Sequence, residues 1–224
     1  MPHDINTIHP IGGVTSGLNR CGCGGHRHVT RLVVLTGGPG AGKTAVLDLA
    51  RHRFCEHVRV LPEAATMLFA GGFPRFDEEQ ARRAAQRAIF AVQREIERAV
   101  ASEGSAAVAL CDRGTLDGLA YWPGALDDFF ASHATTRRDE LERYAAVIHL
   151  RTPAALHYDH SNPMRTETAE QAHAMDEKIA AAWAGHPHIH FIDSSEDFIE
   201  KAQSALAMIE HELPECCRHA EQSS

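Results

Sequence analysis

The sequence predicts an α/β fold of three layers, a five-stranded parallel sheet with helices on both faces. Three observations predict it. Short apolar runs recur at 31–36, 58–61, 106–111, 146–150 and 188–192, and helical stretches separate them. The first, RLVVLT, and the fourth, AVIHL, are nearly continuous in apolar residues, as strands buried on both faces are. A parallel pair of strands also needs a crossover between its members, which the intervening helical stretches supply.

Taken in order, residues 1–28 hold Gly12, Gly13, Gly17, Gly22, Gly24 and Gly25 without apolar periodicity and read as a flexible N-terminal tail. Residues 29–213 read as one domain, and 214–224 as a C-terminal tail. The strand at 31–36 ends in glycines and leads into a helix at 43–57. A second strand at 58–61 stops at Pro62 and Glu63. A long helix is expected at 77–102, because Ala81, Ala85, Ile89, Val92, Ile96 and Val100 recur at helical spacing. Asp77 and Gln80 carry the spacing of a capping box at its start. The third strand, 106–111, is bounded by Asp112, Arg113 and Gly114. Helical pieces are expected at 115–122, 126–133 and 136–144, then the fourth strand. A helix at 168–184 stops at Gly185, the fifth strand follows, and 195–212 forms the terminal helix.

Composition excludes several classes. With 22 Lys and Arg against 30 Asp and Glu, the net charge is −8. An acidic chain is a poor partner for nucleic acid, whose binding relies on clustered positive charge. No apolar run approaches the ~20 residues that span a bilayer, and no basic-then-apolar leader opens the chain. Cytoplasmic residence is therefore expected, with no membrane association, and the six cysteines are expected as free thiols. Oligomeric state is left open.

The strongest chemical signal lies at 37–44. Gly37, Gly38, Pro39, Gly40, Ala41, Gly42, Lys43 and Thr44 satisfy G-x-x-x-x-G-K-[ST] between a strand and a helix. Glycines let the backbone wrap a phosphate with its amides inward, and the helix start favours an anion. Lys43 puts a point charge on the β- and γ-phosphates, and Thr44 offers a hydroxyl to Mg²⁺. The implied ligand is ATP with Mg²⁺. GTP also fits the loop, although no N-K-x-D guanine motif is present.

Ligands of such sheets bind beyond the carboxyl ends of the strands. Asp112, at the third strand's end, is the candidate second Mg²⁺ ligand, and a helix cap is its alternative role. Glu63, after the second strand, is the candidate general base, or else a first-turn helix acid. Arg113 is a candidate substrate or phosphate contact, with a surface ion pair as the alternative. Arg165, in the polar stretch after the fourth strand, is the candidate lid arginine that neutralises charge on the transferring phosphoryl group, and Arg151 is the second choice.

GGPGAGKT, LPEAAT, the Gln86-to-Glu97 run of the long helix, CDRGTLDGLAYW, NPMRTET, W-x-G-H-P and FIDSS together resemble one group. It is the P-loop AAA domain family that contains the kinase domain of bacterial ribosylnicotinamide kinases. The resemblance spans about 31–210, and LPEAAT with DRGTLDG is its specific part. It implies a P-loop NTPase, kinase-like with a lid, and strand order 2-3-1-4-5. It implies ATP or GTP with Mg²⁺ at 37–44 and Asp112, and acceptor-side roles for Glu63, Arg113 and Gln93. Some relatives in this group act as nucleotide-binding regulators.

The leading expectation is phosphoryl transfer from ATP to the hydroxyl of a small, nucleoside-like acceptor. The alternative is a nucleotide-dependent regulatory or binding module with slow ATP or GTP hydrolysis. Cys21, Cys23, His26 and His28 form C-x-C-x2-H-x-H, a spacing tighter than usual zinc motifs, so zinc is not expected there. Cys216, Cys217 and His219 carry less weight still, unless the two tails meet in space.

Overall fold

In the computed structural model, residues 27–153, 168–194 and 197–218 are described. Five strands form one parallel sheet: β1 (Arg31–Thr36), β2 (Val58–Leu61), β3 (Val108–Asp112), β4 (Ala146–Leu150) and β5 (Ile189–Ile192). Their order is β2-β3-β1-β4-β5, as the resemblance implies. β1 pairs with β3 from Arg31 opposite Val108 to Leu35 opposite Asp112, and with β4 from Val33 opposite Ala146 to Thr36 opposite His149.

Side chains of a strand alternate between faces, so β1 feeds two cores. Val33 and Leu35 pack with Val46, Leu47 and Ala50 of α1 (Lys43–Arg53) and with Ala205 and Ile209 of α7 (Phe198–Glu212). Val34 packs on the other face with Leu116, Trp183, Phe90 and Ile179. That second layer is built by α3 (Glu79–Glu103), a 3-10 helix (Thr115–Tyr121) and α6 (Ala169–Ala182). Three short helices complete the described chain before α6: α2 (Ala64–Ala70), α4 (Leu126–Ser132) and α5 (Arg137–Glu142).

Several boundaries differ from the sequence reading. α1 ends at Arg53, and Cys55 to His57 turn the chain toward β2. α2 is an unforeseen helix that starts directly after Glu63. The capping box of Asp77 and Gln80 does not form, because α3 begins two residues later with Glu78 at its N-cap and no side-chain cap. Of the expected apolar stripe of α3, Ala85 is buried and the rest are half-buried, while the buried line also includes Gln93 and Glu97 at 3% and 1% exposure. They tolerate burial through hydrogen bonds. The Gln93 amide donates to Glu97 Oε1 at 2.8 Å, and the Tyr144 hydroxyl donates to the same oxygen at 2.9 Å.

The described ends also depart from plain tails. Arg27 donates to the Glu103 carbonyl at 3.3 Å, and the His28 amide to the Gly104 carbonyl at 3.0 Å. At the other end α8 (Glu215–Arg218) buries Cys217 against the α1–α7 layer. No helix of the described residues is long and apolar enough to cross a membrane.

Candidate active site

The loop between β1 and α1 depends on its glycines. Gly37, Gly40 and Gly42 have φ of 138°, 75° and 94°, a region costly for residues with a Cβ. A Cβ on Gly37 would lie 2.1 Å from the Leu150 carbonyl oxygen, and one on Gly42 2.7 Å from the Phe198 ring. Gly42 is also the N-cap of α1, which has no side-chain cap and no acid in its first turn. The first amides of a helix lack intrahelical partners, so this end presents donors suited to an anion.

Lys43 lies back over the loop, donating to the carbonyls of Gly37 at 2.8 Å and Gly38 at 3.1 Å. Burial, then the nearby Arg113 charge, lowers its pKa to about 7. Thr44 follows at the exposed first turn of α1. The β1–β3 register sets Asp112 beside Leu35, next to the strand that enters the loop. Among the described residues no hydrogen bond reaches the Asp112 carboxylate. Burial, then the neighbouring Glu63 charge, raises its pKa to about 6. Gly114, not Asp112, occupies the N-cap of the 3-10 helix.

Arg113 has φ of 69°, unusual for a residue with a side chain. Its surroundings over-determine that conformation. The Arg113 amide donates to the Leu35 carbonyl at 3.1 Å, while its guanidinium donates to Glu63 Oε1 at 2.7 Å and Asp117 Oδ1 at 3.2 Å. Glu63 occupies the N-cap position of α2, but its side chain does not cap the helix. It accepts from Arg113 and, at 2.5 Å, from the Thr66 hydroxyl. Burial pushes the Glu63 carboxyl up, but Arg113 and Thr66 outweigh this, and its pKa lies below the ordinary value.

Lys43, Asp112, Glu63 and Arg113 thus lie close enough for their charges to act on one another. Beside them opens a cavity of about 670 Å³, whose lining includes Pro39, Glu63, Phe69, Gln86, Phe90, Gln93, Arg113 and Tyr121. Gln93 lines this cavity from α3. Arg165 lies outside the described residues, as do Cys21, Cys23 and His26. Arg151 pairs with Asp176 at 3.1 Å and Glu177 at 2.8 Å, and so contacts the loop through Asp176.

Two buried carboxylates brace this site and were not singled out from sequence. Asp117 accepts from Thr36, from the Gly114 amide at 2.9 Å and from the Trp183 indole at 3.1 Å, besides Arg113. Asp176 accepts from the Gly38 amide at 2.8 Å, sits 2.9 Å from His149 Nε2 and pairs with Arg151. Burial pushes the Asp176 carboxyl up, but His149, the Gly38 amide and Arg151 outweigh this and hold it well below the ordinary range. A signal existed for each. Asp117 stands four residues after Arg113, the spacing of a helical ion pair. Asp176 interrupts an apolar helical stripe of Ala172, Ile179 and Trp183, and a charge at such a position demands partners.

A family model described as an AAA domain matches residues 32–201. The chain belongs to the AAA domain family. The match takes in the loop, β3 with Asp112 and Arg113, and α6 with Asp176. No curated protein matches this AAA-domain chain in sequence. Among solved structures, a NadR protein in complex with NR is similar, with a TM-score of 0.61 and 16% identity over 84% of this chain and 52% of that one. The chain therefore spans about half the length of that NadR protein. The thymidylate kinase of Candida albicans is similar with a TM-score of 0.55 and 13% identity, over 83% of this chain and 92% of that one. These likenesses show a kinase-like P-loop α/β fold.

Proposed function

We propose that this chain binds ATP with Mg²⁺ at 37–44 and transfers the terminal phosphoryl group to a hydroxyl of a small, nucleoside-like acceptor. One observation carries the reading. Pro39 of the glycine loop and the Glu63–Arg113 pair line a cavity large enough for such an acceptor, and the charges of that pair act on Lys43 and Asp112 beside it. Ligand pockets commonly enclose ~300–1,000 Å³. Aromatic walls from Phe69, Phe90 and Tyr121 suit a flat ring, and Gln86 and Gln93 suit its polar edge. NadR and thymidylate kinase, both named above, have this fold, which agrees with the reading.

Thr44 and Asp112 fit a Mg²⁺ ion, one by a hydroxyl at an exposed helix start and the other by a carboxylate without a described hydrogen-bond donor. Mg²⁺, when bound, supplies positive charge between the phosphates. Lys43 turns from the loop carbonyls toward the bound polyphosphate and stays protonated there. Arg113 is fixed by Glu63 and Asp117, so it meets substrate without reorganising. Glu63 orients the acceptor hydroxyl and accepts its proton. Its lowered pKa suits this duty in a loose transition state, where alignment matters more than base strength. Arg165 is the proposed source of further positive charge over the phosphates.

The test is ATP turnover against a panel of nucleosides and other small alcohols. Acceptor-stimulated ADP release, with phosphate appearing on that acceptor, supports transfer. Slow turnover that no acceptor changes refutes it and leaves a nucleotide-responsive module. Asp112→Asn is expected to abolish the Mg²⁺ dependence of turnover while the chain still folds.

A further inference from the structure

Far from the proposed nucleotide site, three soft donors meet at the amino ends of the strands. His28 precedes β1, His57 precedes β2, and Cys217 lies in α8. They are widely separated in sequence, yet one ligand atom from each lies within 4.8 Å of the others. Cys217 Sγ is 3.7 Å from His57 Nδ1 and 3.9 Å from His28 Nε2. The two imidazole rings are 4.7 Å apart between centroids.

We propose that His28, His57 and Cys217 bind a zinc ion that fastens the segment before β1 and helix α8 to the floor of the sheet. The two sulfur–nitrogen separations are close to those of a coordination shell. Metal–sulfur bonds of about 2.3 Å and metal–nitrogen bonds of about 2.0–2.1 Å at tetrahedral angles put ligand atoms about 3.3–3.8 Å apart. The observed sulfur–nitrogen separations lie within a few tenths of an ångström of that range.

Donor chemistry selects the metal. Two imidazoles with one thiolate suit zinc, which also takes three protein ligands with water in the fourth position. Cys55 Sγ is buried and 3.9 Å from His57 Nδ1, but it does not join the cluster formed by the other three residues, so Cys217 is the thiolate of this site. The backbone frames all three ligands before any metal binds. The His28 amide donates to Gly104, the His57 carbonyl accepts from Ala107 and Val108, and the Cys217 amide donates to Pro214. The ion would join segments 189 residues apart, a closure that favours the folded chain. His28 is also the last residue of the C-x-C-x2-H-x-H run, so this site uses one member of that run with a partner it could not supply.

The test uses the full-length chain, kept reduced, stripped with a chelator and titrated with Co²⁺ and then Zn²⁺. The expected result is one equivalent of Co²⁺ with a thiolate-to-cobalt charge-transfer band, displaced by Zn²⁺, and a Tm raised several degrees by Zn²⁺. Cys217→Ser should abolish the band. His28 is only half-buried, so His28→Ala should keep native circular dichroism while its metal affinity falls about tenfold or more. No thiolate band at stoichiometric Co²⁺ overturns the proposal. So does a band that survives both substitutions and disappears only when Cys21 and Cys23 are both changed to Ser, which would place the metal on the tail motif alone.

Discussion

The two ends of the sheet solve different problems. At the carboxyl ends, Lys43, Asp112, Glu63 and Arg113 are ionisable groups held partly out of water around a loop with three glycines at positive φ. The pKa values of Lys43 and Asp112 move toward each other, to about 7 and about 6. Perturbed groups gathered beside a cavity mark a place built for a charged ligand. At the amino ends, His28, His57 and Cys217 meet beside an apolar core layer that includes Cys217. In the functions proposed for them, the first end receives a ligand and releases it, and the second holds the chain together. Changes at one end should therefore leave the properties of the other largely intact.

The sharpest way to break this division is at Lys43. Lys43→Ala should lower kcat/KM for ATP by about 10³-fold, the scale on which a preorganised charge stabilises a transition state, with Zn²⁺ binding unchanged. Glu63→Gln should follow with a loss of about 10²-fold in transfer, measured by acceptor-dependent turnover, while nucleotide affinity is retained.

A pH profile gives a milder but more specific reading. The competent free protein has Asp112 ionised, which holds above about 6, and Lys43 charged, which holds below about 7. The profile of kcat/KM should be a narrow bell between those values, falling about tenfold per pH unit on either side. Asp112→Asn should remove the acidic limb from whatever activity remains, and a limb that persists would assign it to another group.

The smallest effect on transfer should come from Asp176→Ala, read mainly as stability. Asp176 is fully buried and holds the Gly38 amide and Arg151. Removing it leaves the buried Gly38 amide without this acceptor and Arg151 with Glu177 alone, at a cost of about 3 kcal/mol in urea unfolding. The pKa of Asp176 is lower folded than unfolded. Its contribution is therefore complete above the ordinary carboxylate value of about 4 and lost as pH falls through the lower folded value. The variant should lose part of the wild type's acid sensitivity.

The comparison also separates what was legible in the sequence from what was not. The strands at 31–36, 58–61 and 146–150 were legible to the residue, because each is a short apolar run closed by polar or turn-forming neighbours. The loop at 37–44 was legible because a phosphate cradle needs glycines and a lysine at fixed local spacing. Glu63, Asp112 and Arg113 were legible as strand-end residues, but not the ion pair that joins two of them across 50 positions. The 3-10 form of Thr115–Tyr121 and the late start of α3 escaped, since tertiary packing sets them rather than local pattern. His57 and Cys217 were illegible as a pair, because only the folded sheet brings residues 160 apart into contact.

The central claim is that the glycine loop with Lys43 holds a triphosphate. Thermal unfolding of the wild type and Lys43→Ala, each with Mg²⁺ and a non-hydrolysable ATP analogue, tests it most directly. At about a hundred times Kd the analogue should stabilise the wild type by about 2.7 kcal/mol, seen as a clear rise in Tm, and should leave Lys43→Ala unshifted. No shift in the wild type, or an equal shift in both proteins, would contradict the account.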